Sequence, residues 1–294
     1  MESKKITLPG EFPMTSIEKV QGFWEENPLW SGETNFEEGS EEFFLEHRKV
    51  YYEDCFGGSF DLRFLPPPRK NGQSIKILDL GCGIGFWTTE LAMLGYSKIH
   101  ASDLTNKTLA ITSKRLEFFN VKSELSQQNA ENTSFDDNFF DHVNCQGVIH
   151  HTPDTNGAIK EISRILKKDG TASISVYYKN FFLRFWPIIQ PLGWILYFLG
   201  AKLRGRGRDH IFKQTDAAEI VRLYDGKSNP IGKSYPKKSF ITMLSPYFHV
   251  EETYLHFFPL EVYLSKSQSL YIGFLINISV LCFMQHCAKN VRNS

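Results

Sequence analysis

The sequence predicts an α/β fold in which a mostly parallel sheet has helices on both faces. Across residues 75–180, short apolar runs alternate with segments of helical periodicity, a pattern typical of parallel strands joined by crossover helices. The first apolar run, 75–80, leads through a glycine-rich turn into a helix. The second run, 98–102, ends at the acidic residue Asp103. We therefore expect a ligand site where these two strands end, as in other open α/β sheets.

Composition narrows the class of protein. The chain has 294 residues, of which 41% are hydrophobic and 22% charged, as in an ordinary globular protein. Its formal net charge is zero, so there is no global basic field, and we predict no nucleic-acid partner. The five cysteines are odd in number and form no C-x-x-C pair, which favours reduced thiols in the cytoplasm and argues against a metal site. The first ten residues contain no apolar run, so no signal peptide is predicted.

Two helices are predicted ahead of the sheet. The first lies within residues 16–30, where Ser16 is the N-cap residue, apolar residues follow at helical spacing, and Pro28 ends the helix. The second begins after Ser40 and has acidic residues in its first turn. The stretch 66–72, rich in proline and then polar, is typical of a linker. We place the end of an N-terminal unit there.

Within the sheet region, apolar runs predict strands and the segments between them predict helices. The helix after the glycine-rich turn is expected at 87–94, because Gly95 is a common residue just beyond a helix C-terminus. A later helix is expected at 156–167. The predicted strands are 75–80, 98–102, 122–127, 140–145 and 171–178.

The glycine-rich turn indicates which kind of ligand the site binds. Gly81, Gly83 and Gly85 let the backbone turn tightly and approach a ligand closely. Asp103, at the tip of the neighbouring strand, can accept hydrogen bonds from ribose hydroxyls. The dinucleotide fingerprint requires a small third residue, and Phe86 occupies that position. Because no Gly-Lys-Ser/Thr motif for a triphosphate is present either, we predict a nucleoside ligand without phosphates.

Four stretches in order carry a resemblance to a known family. Asp-Leu-Gly-Cys-Gly-Ile-Gly at 79–85 resembles motif I of the class I S-adenosylmethionine (SAM)-dependent methyltransferases, of the methyltransferase type 11 group. Asp103 matches the family's ribose-binding acid, 128–135 resembles its adenine loop, and 140–154 resembles its fourth-strand motif. The resemblance covers about residues 75–180. It implies a Rossmann-like, seven-stranded, mostly parallel sheet, an N-terminal helical cap, and a helical insertion before the last strands.

The resemblance also implies SAM as the cofactor and assigns its contacts. Asp79 is expected to bond the amine side of the methionyl part directly or through water, beside the glycines. Gln146 and Gly147 are expected by the sulfonium. Asn129 stands where the family usually has aspartate, but its carbonyl can still accept from the adenine amino group, so we expect altered affinity. The predicted cofactor residues are Asp79, Gly81, Cys82, Gly83, Gly85, Asp103, Leu104, Asn129, Ala130, Gln146 and Gly147.

Candidates for catalysis are three histidines. His150 and His151 follow the fourth predicted strand, and either can act as a base because histidine titrates near neutral pH. His210 lies in a flexible, basic loop and is the third candidate. The alternative is a structural role, since relatives with different acceptors often have His-His here. Candidate substrate residues in the cap are Trp24, Tyr51 and Tyr52, for which core or surface packing is the alternative.

The stretch 181–203 is unusually apolar, with no charged residue from Phe185 to Ala201. The uncharged part has 17 residues, fewer than the ~20 that a spanning helix needs, and prolines interrupt it, so we reject a transmembrane span. Three interpretations stay open. The stretch forms a buried lid or substrate wall, or it contacts a membrane interface through 181–208 with help from the basic run that follows, or it forms an oligomer contact.

The remaining sequence predicts the end of the sheet. Helices are expected at 214–225, with Thr215 as N-cap, and at 237–244. The sixth and seventh strands, an antiparallel pair, are expected at 248–258 and 280–289, while 270–276 fits a helix or a strand. The predicted domain organisation is an N-terminal helical cap at 1–70, a SAM-binding core at 71–180, a helical, apolar insertion that forms a substrate lid at 181–245, and C-terminal strands at 246–294.

The leading functional hypothesis is a SAM-dependent methyltransferase that acts on a small molecule with a hydrophobic or aromatic part. One alternative is a peripheral-membrane methyltransferase of a lipid or quinone, and another is a non-catalytic subunit that binds SAM or a partner. A nicotinamide-dependent oxidoreductase is disfavoured by Phe86. We expect a cytoplasmic location, with membrane association and oligomeric state left open.

Overall fold

The computed structural model describes residues 16–56, 60, 63, 65–66, 74–200, 202–203, 208–256, 261–264, 268–271 and 279–286. Its strands, in chain order, are β1 (Lys76–Leu80), β2 (Lys98–Asp103), β3 (Glu124–Gln127), β4 (Phe140–Gln146), β5 (Leu166–Tyr178), β6 (Lys202–Leu203), β7 (Ser234–Tyr235), β8 (Phe248–His256), β9 (Glu261–Leu264), β10 (Gln268–Tyr271) and β11 (Ser279–His286).

The main sheet has the order β3-β2-β1-β4-β5-β11-β8, and the two-residue strand β7 pairs with β5 beside this path. Strands β1 to β5 are parallel, whereas β11 is antiparallel to both β5 and β8. The Rossmann-like sheet of seven strands is therefore confirmed, with one short strand added. The strand order turns back between β1 and β4, and ligands bind at such a switch point.

Helices cover the sheet and form the N-terminal cap. They are α1 (Ile17–Glu26), α2 (Glu41–Phe56), α3 (Phe86–Met93), α4 (Asn106–Phe118), α5 (Thr155–Ile165), α6 (Phe181–Arg184), α7 (Trp186–Phe198), α8 (Ala217–Leu223) and α9 (Lys237–Leu244), with 3₁₀ helices at Ile149–His151 and Arg208–Lys213. The predicted ends of several helices are confirmed. Asn27 closes α1, the Ser40 hydroxyl accepts from the Phe43 N–H at the start of α2, and Gly95 follows α3 with φ 95°.

The apolar face of α5 shows how the sheet and helices pack. Ala158, Ile159, Ile162 and Ile165 are fully buried, and they share one core cluster with buried residues of β4 and β5. Burying each such isoleucine is worth ~1.5–3 kcal/mol. The core therefore holds β4 firmly against its helices, which fixes where β4 ends and where the site begins.

Some predicted boundaries are wrong. Helix α5 ends at Ile165 rather than at 167, because the fully buried Leu166 already pairs with Phe140 in the sheet. Helix α8 is capped by Asp216, whose carboxylate accepts from the Ala218 N–H, and not by Thr215. The part of 270–276 that is described, up to Tyr271, is strand. The linker stretch 66–72 lies outside the described residues, except for its first proline.

A second, three-stranded sheet was not predicted. Its order is β10-β9-β6, and β6 pairs antiparallel with β9. The insertion and the C-terminal part of the chain therefore meet in this small sheet. The paired residues of β6 and β9 are about sixty positions apart in the chain. Local sequence patterns carry no signal for pairing over such a distance.

The apolar insertion differs from the buried lid that we predicted. Its inner side is buried: Leu183 and Trp186 pack in a cluster with Ile211, Phe212 and Val221. Its other side is exposed, so the prediction of a buried segment is wrong for that side. The exposed apolar residues are Phe181, Phe185, Ile188, Leu192, Trp194, Ile195, Phe198 and Leu199. Among the described residues, no helix is both long and apolar enough to cross a membrane.

Candidate cofactor and acceptor site

The glycine-rich turn after β1 is held in shape by the protein itself. Gly81, Gly83 and Gly85 have φ of 74°, 53° and 77°, in the left-handed region that favours glycine. A Cβ at Gly81 would lie 2.3 Å from Cγ2 of Val148, and one at Gly85 would lie 2.7 Å from Cγ2 of Thr112. These two glycines are therefore needed for close packing of the turn. At Gly83 the nearest side-chain atom would be 3.7 Å away, so there is room beside this residue.

Asp103 ties the glycine-rich turn to β2. Its Oδ2 accepts from the Gly83 N–H at 3.0 Å, and its Oδ1 accepts from the N–H and hydroxyl of Thr105 at 3.0 and 2.9 Å. A carboxylate offers about four acceptor positions, so about one remains for a ribose hydroxyl. Burial raises the pKa of Asp103. The next residue, Leu104, offers its carbonyl to Gln21 of α1, which connects the cap to this corner.

Asp79 supports the turn from inside. The side chain is 1% exposed; its Oδ2 accepts from the Thr88 hydroxyl at 2.5 Å and its Oδ1 from the Asn144 amide at 2.9 Å. Burial raises its pKa to about 6. Because the carboxylate is almost completely enclosed by the protein, this geometry favours an indirect role at the cofactor. The register places Asp79 opposite Asn144, and sequence reasoning missed this partner because it needs the strand order.

The end of β4 continues this hydrogen-bond chain. The Gln146 amide donates to Oδ1 of Asn144 at 3.0 Å and to the Ser173 carbonyl at 3.1 Å. Gly147 follows with φ 75°, and its N–H donates to the Ser175 hydroxyl at 2.9 Å. No atom lies within 4 Å of the position of a Cβ at Gly147. The end of β4 therefore opens onto free space at the switch point of the sheet.

The predicted adenine loop forms a tight turn next to this opening. The Asn129 side-chain carbonyl accepts from the Glu131 N–H at 3.0 Å, and Asn129 forms a β-bridge with Asn132. One acceptor position of that carbonyl remains for a ligand. Ala130 is buried at 7% exposure. Cys82 belongs to the glycine-rich turn, and its side chain is buried. This burial raises the pKa of the thiol well above its ordinary value.

The two ring nitrogens of His151 have different surroundings. Its Nδ1 lies 2.8 Å from the carbonyl oxygen of Ile231. A carbonyl only accepts, so Nδ1 carries the hydrogen and Nε2 of the neutral ring has the free lone pair. Nε2 lies 3.7 Å from Oδ2 of Asp225, whose other oxygen accepts from the Tyr177 hydroxyl at 2.9 Å. A carboxylate at this distance stabilises the ring once it is protonated.

His150 lies beside His151 but has a different environment. Its ring is fully buried, and neither ring nitrogen has a hydrogen-bond partner among the described residues. The rings of His151 and Tyr177 lie 4.1 Å away, centroid to centroid. Burial lowers the pKa of His150 well below its ordinary value. This geometry favours a packing role for His150.

One segment of the cap, residues 24–33, covers both parts of the site. Trp24 packs edge-on against the His151 ring with centroids 5.2 Å apart, and Leu29 is the residue nearest to Gly83's open side. Glu33 forms an ion pair with Arg208 at 3.2 Å, with the two side chains 18% and 15% exposed. The Arg208 guanidinium also lies 3.8 Å from the centroid of the Tyr224 ring. The cap and the segment after α7 therefore meet over the strand ends.

The other predicted residues lie elsewhere. His210 is exposed, and its ring faces Tyr197 of α7 with centroids 6.2 Å apart. Tyr51 packs against Phe86 at 4.2 Å, and the Tyr52 hydroxyl donates to Glu90 at 2.6 Å, so both tyrosines flank α3. Sequence reasoning missed four residues of the site that come together only through tertiary contacts. They are Glu33, Tyr177, Arg208 and Asp225.

These residues fit a nucleoside cofactor without phosphates. Backbone amides and the carboxylate of Asp103 suit ribose hydroxyls, whereas a negative charge at this point repels phosphate. The open space beyond Gly147 leaves room for the part of the ligand that would lie at the switch point. Asp103 would hold the ribose, Asn129 and Ala130 the adenine, and the turn around Gly83 the amino-acid part.

Comparisons with known proteins support SAM as the cofactor. A family model described as a methyltransferase domain matches residues 78–174. Phosphoethanolamine N-methyltransferase 2 of Caenorhabditis elegans is 34% identical over 113 residues, which is 38% of this chain and 25% of that protein. Demethylmenaquinone methyltransferase of Bacillus mycoides (strain KBAB4) is 33% identical over 98 residues, which is 32% of this chain and 41% of that protein. The chain therefore spans less than half the length of these two relatives.

A solved structure supports the fold. The SAM-dependent methyltransferase of Methanosarcina mazei superposes with a TM-score of 0.50 at 19% identity, covering 76% of this chain and 94% of that one. At this identity the likeness concerns the fold alone, whereas the family model concerns the motifs of the site. Together they show a methyltransferase domain at residues 78–174 within a class I SAM-dependent methyltransferase fold, with SAM as the cofactor.

Proposed function

We propose that this chain transfers the methyl group of SAM to a small-molecule acceptor that has a hydrophobic or aromatic part, and that His151 accepts the acceptor's proton. One observation carries the proposal. Gly147 follows β4 at the switch point and has free space beside it, and His151 comes four residues later with its Nδ1 hydrogen directed to the Ile231 carbonyl. This arrangement supports a site in which cofactor and base lie close to the end of β4.

Methyl transfer from SAM depends more on positioning the two reactants than on covalent catalysis by the protein. SAM supplies a sulfonium methyl group, which an acceptor atom attacks in line. Holding two reactants in attack geometry is worth ~7–11 kcal/mol. In this chain, the cap segment 24–33 and Arg208 would enclose the acceptor and exclude water. His151 would take the proton at Nε2, and Asp225 would stabilise the resulting charge; such a base typically contributes ~10²–10⁴-fold in rate.

Aromatic side chains support an acceptor with an apolar part. Trp24 and Tyr177 both pack against the His151 ring, with centroids 5.2 and 5.6 Å from it. Tyr224 packs against Tyr177 and beneath Arg208. Flat apolar walls next to a base suit a ring or an alkyl chain attached to the reacting atom. Of the three predicted substrate residues, only Trp24 lies at this place.

The first experiment is a calorimetric titration of SAM and S-adenosylhomocysteine into the wild type and Asp103→Ala. We expect the variant to lose at least about tenfold in affinity, or about 1.4 kcal/mol. Asp137→Ala is the matched control, because that carboxylate is 67% exposed and lies in a loop before β4. If Asp103→Ala and Asp137→Ala bind SAM equally well, the proposed cofactor site is wrong.

The second experiment concerns the acceptor. The protein is incubated with SAM labelled at the methyl group and a panel of phenols, amines and quinols, and label in the small molecules is measured. Transfer to aromatic members of the panel, lost in Asp103→Ala, supports the proposal. Label that appears only in added proteins or nucleic acids would contradict a small-molecule acceptor.

A further inference from the structure

The insertion carries a continuous apolar surface that the rest of the described molecule leaves open. We call it the outer face, and its residues are Phe181, Phe185, Ile188, Leu192, Ile195, Phe198 and Leu199. The exposed fractions of Ile188, Phe198 and Leu199 are 73%, 75% and 64%. Residues 188, 192 and 195 of α7 and Leu199, which caps its C-terminus, have the spacing of one helix face. A soluble surface rarely exposes so many neighbouring apolar side chains unless they bind something.

The outer face is presented by a helix that is anchored from below. Trp186 is buried, and its indole N–H donates to the Gln214 carbonyl at 2.7 Å. Gly193 lies so close to Trp186 that a Cβ would come within 2.9 Å of its ring. These contacts fix which side of α7 points inward. The exposure of the outer face therefore follows from the packing of α7 and not from a loose segment.

Charge in the segment that carries the outer face is of one sign. From residue 179 to residue 208, every charged residue in the sequence is basic. Among the described side chains, Arg184 is exposed between the outer-face residues Phe181 and Phe185. An apolar helix face bordered by basic residues is the pattern of helices that lie in the interface of an anionic bilayer.

The same charges argue against a second copy of the chain as the occupant. A symmetric dimer brings the same patch of both copies together, so the two basic borders would face each other. Like charges at such a contact repel, whereas anionic lipid headgroups neutralise them. The occupant that matches both the apolar side chains and the basic border is a lipid surface.

We propose that the outer face of α6 and α7 docks on an anionic phospholipid bilayer, with the apolar side chains in the headgroup–acyl boundary and Arg184 at the level of the phosphates. Docking itself does not depend on the proposed methyl transfer. Combined with it, docking names the source of the acceptor: a lipid-soluble molecule, such as a lipid or quinone, that reaches the site from the bilayer. Arg208 and the 3₁₀ helix that starts with it connect α7 to the cap over His151.

The test is co-sedimentation of the full chain with vesicles of phosphatidylcholine mixed with phosphatidylglycerol, and with vesicles of phosphatidylcholine alone. We expect the wild type to sediment with the anionic vesicles and the double variant Ile188→Glu/Leu192→Glu to lose at least about tenfold in partition coefficient. The control is Leu45→Glu on α2. It also puts a glutamate in place of an exposed apolar residue, since the Leu45 side chain is 51% exposed. It should bind as the wild type does.

A second pair of variants tests the charge. Arg184→Glu, compared with Arg184→Gln, should weaken binding to anionic vesicles and make the remaining binding less sensitive to salt. Wild type that stays in the supernatant with both vesicles overturns the proposal, as does an Ile188→Glu/Leu192→Glu variant that binds like Leu45→Glu. Sedimentation velocity adds one decisive outcome: a wild-type dimer that the outer-face variant abolishes would assign the face to a second copy.

Calorimetry with SAM on the same variants separates the two proposals. The outer face does not touch the glycine-rich turn, so its variants should bind SAM as the wild type does. If SAM binds and vesicles do not, the docking proposal fails alone. If vesicles bind and SAM does not, the proposed methyl transfer fails alone. A normal SAM affinity also shows that the variants are folded.

Discussion

Replacing Asp79 with asparagine should stabilise the folded protein, and more so at alkaline than at acidic pH. The carboxyl is 1% exposed, and burial raises its pKa from 3.8 to about 6. A difference of about two pKa units corresponds to about 3 kcal/mol. Below pH 3.8 the carboxyl is neutral in both states. Between the two pKa values only the unfolded chain ionises, so the free energy of unfolding falls as pH rises, and above pH 6 the loss is complete.

The substitution Asp79→Asn removes the charge and keeps two of the hydrogen bonds. The new carbonyl accepts from the Asn144 amide as the carboxylate does. The new N–H donates to the Thr88 hydroxyl, which can accept as well as donate, but the Thr88 backbone N–H loses its acceptor. The variant should therefore gain up to about 3 kcal/mol in unfolding free energy at pH 8 and up to about half as much at pH 5, each reduced by the loss of that one bond.

Urea unfolding at pH 8 and pH 5 measures this gain, with Asp137→Asn as the control at an exposed carboxylate. An equal change at both pH values would refute the raised pKa. A loss of stability at both would show that the hydrogen bonds of the ionised carboxylate outweigh its burial. Calorimetry with SAM on the same variant separates a direct from an indirect role of Asp79, because loss of a direct charged contact should weaken SAM binding by more than about tenfold.

Three further predictions test the site and its surroundings. Gly81→Ala should cost about 2–5 kcal/mol in unfolding free energy, since a Cβ lies 2.3 Å from Val148, whereas Gly83→Ala should cost only the backbone strain of about 1–2 kcal/mol; equal losses in urea unfolding would contradict the packing argument. His151→Gln should lower the methyl-transfer rate by about 10²–10⁴-fold and leave the calorimetric SAM affinity unchanged; a loss of SAM affinity instead would make His151 a cofactor residue. Arg115 is fully buried, its Nε and Nη2 have no partner among the described residues, and burial lowers its pKa to about 9. Arg115→Met should therefore change the unfolding free energy by less than about 1 kcal/mol or raise it, and a loss of about 3 kcal/mol in urea unfolding would contradict this.

Much of the core could be predicted because its signals are local. Glycines with positive φ, apolar runs and N-cap residues act within a few positions of the chain, so the glycine-rich turn, α3 and β2 were found at or within a residue of their observed limits. The strand predicted at 122–127 is also observed, but it spans only Glu124–Gln127. Local signals failed at Leu166, where pairing with Phe140 across the sheet takes precedence over continuation of α5.

The support of the site could not be predicted because it depends on contacts between distant segments. Asn144 is a partner of Asp79 only once β4 is known to lie beside β1. Asp225 lies beside His151 in the folded chain, but no sequence motif around Asp225 predicts this contact. Hydropathy marked 181–203 as apolar but carries no information on which side of α7 packs inward. That direction is decided by Trp186 and Gly193, which fit against the segment around residues 211–214.

A single cap segment lies over two ligand positions, and this has a thermodynamic consequence. Leu29 faces Gly83 at the cofactor turn, while Trp24 and Glu33 contact His151 and Arg208 at the acceptor side. If either ligand shifts the equilibrium between cap positions, it changes the affinity for the other, and linkage makes the two changes equal. Cofactor and acceptor would then bind cooperatively without touching a common residue, and the order in which they are added would matter for the rate but not for the final occupancy.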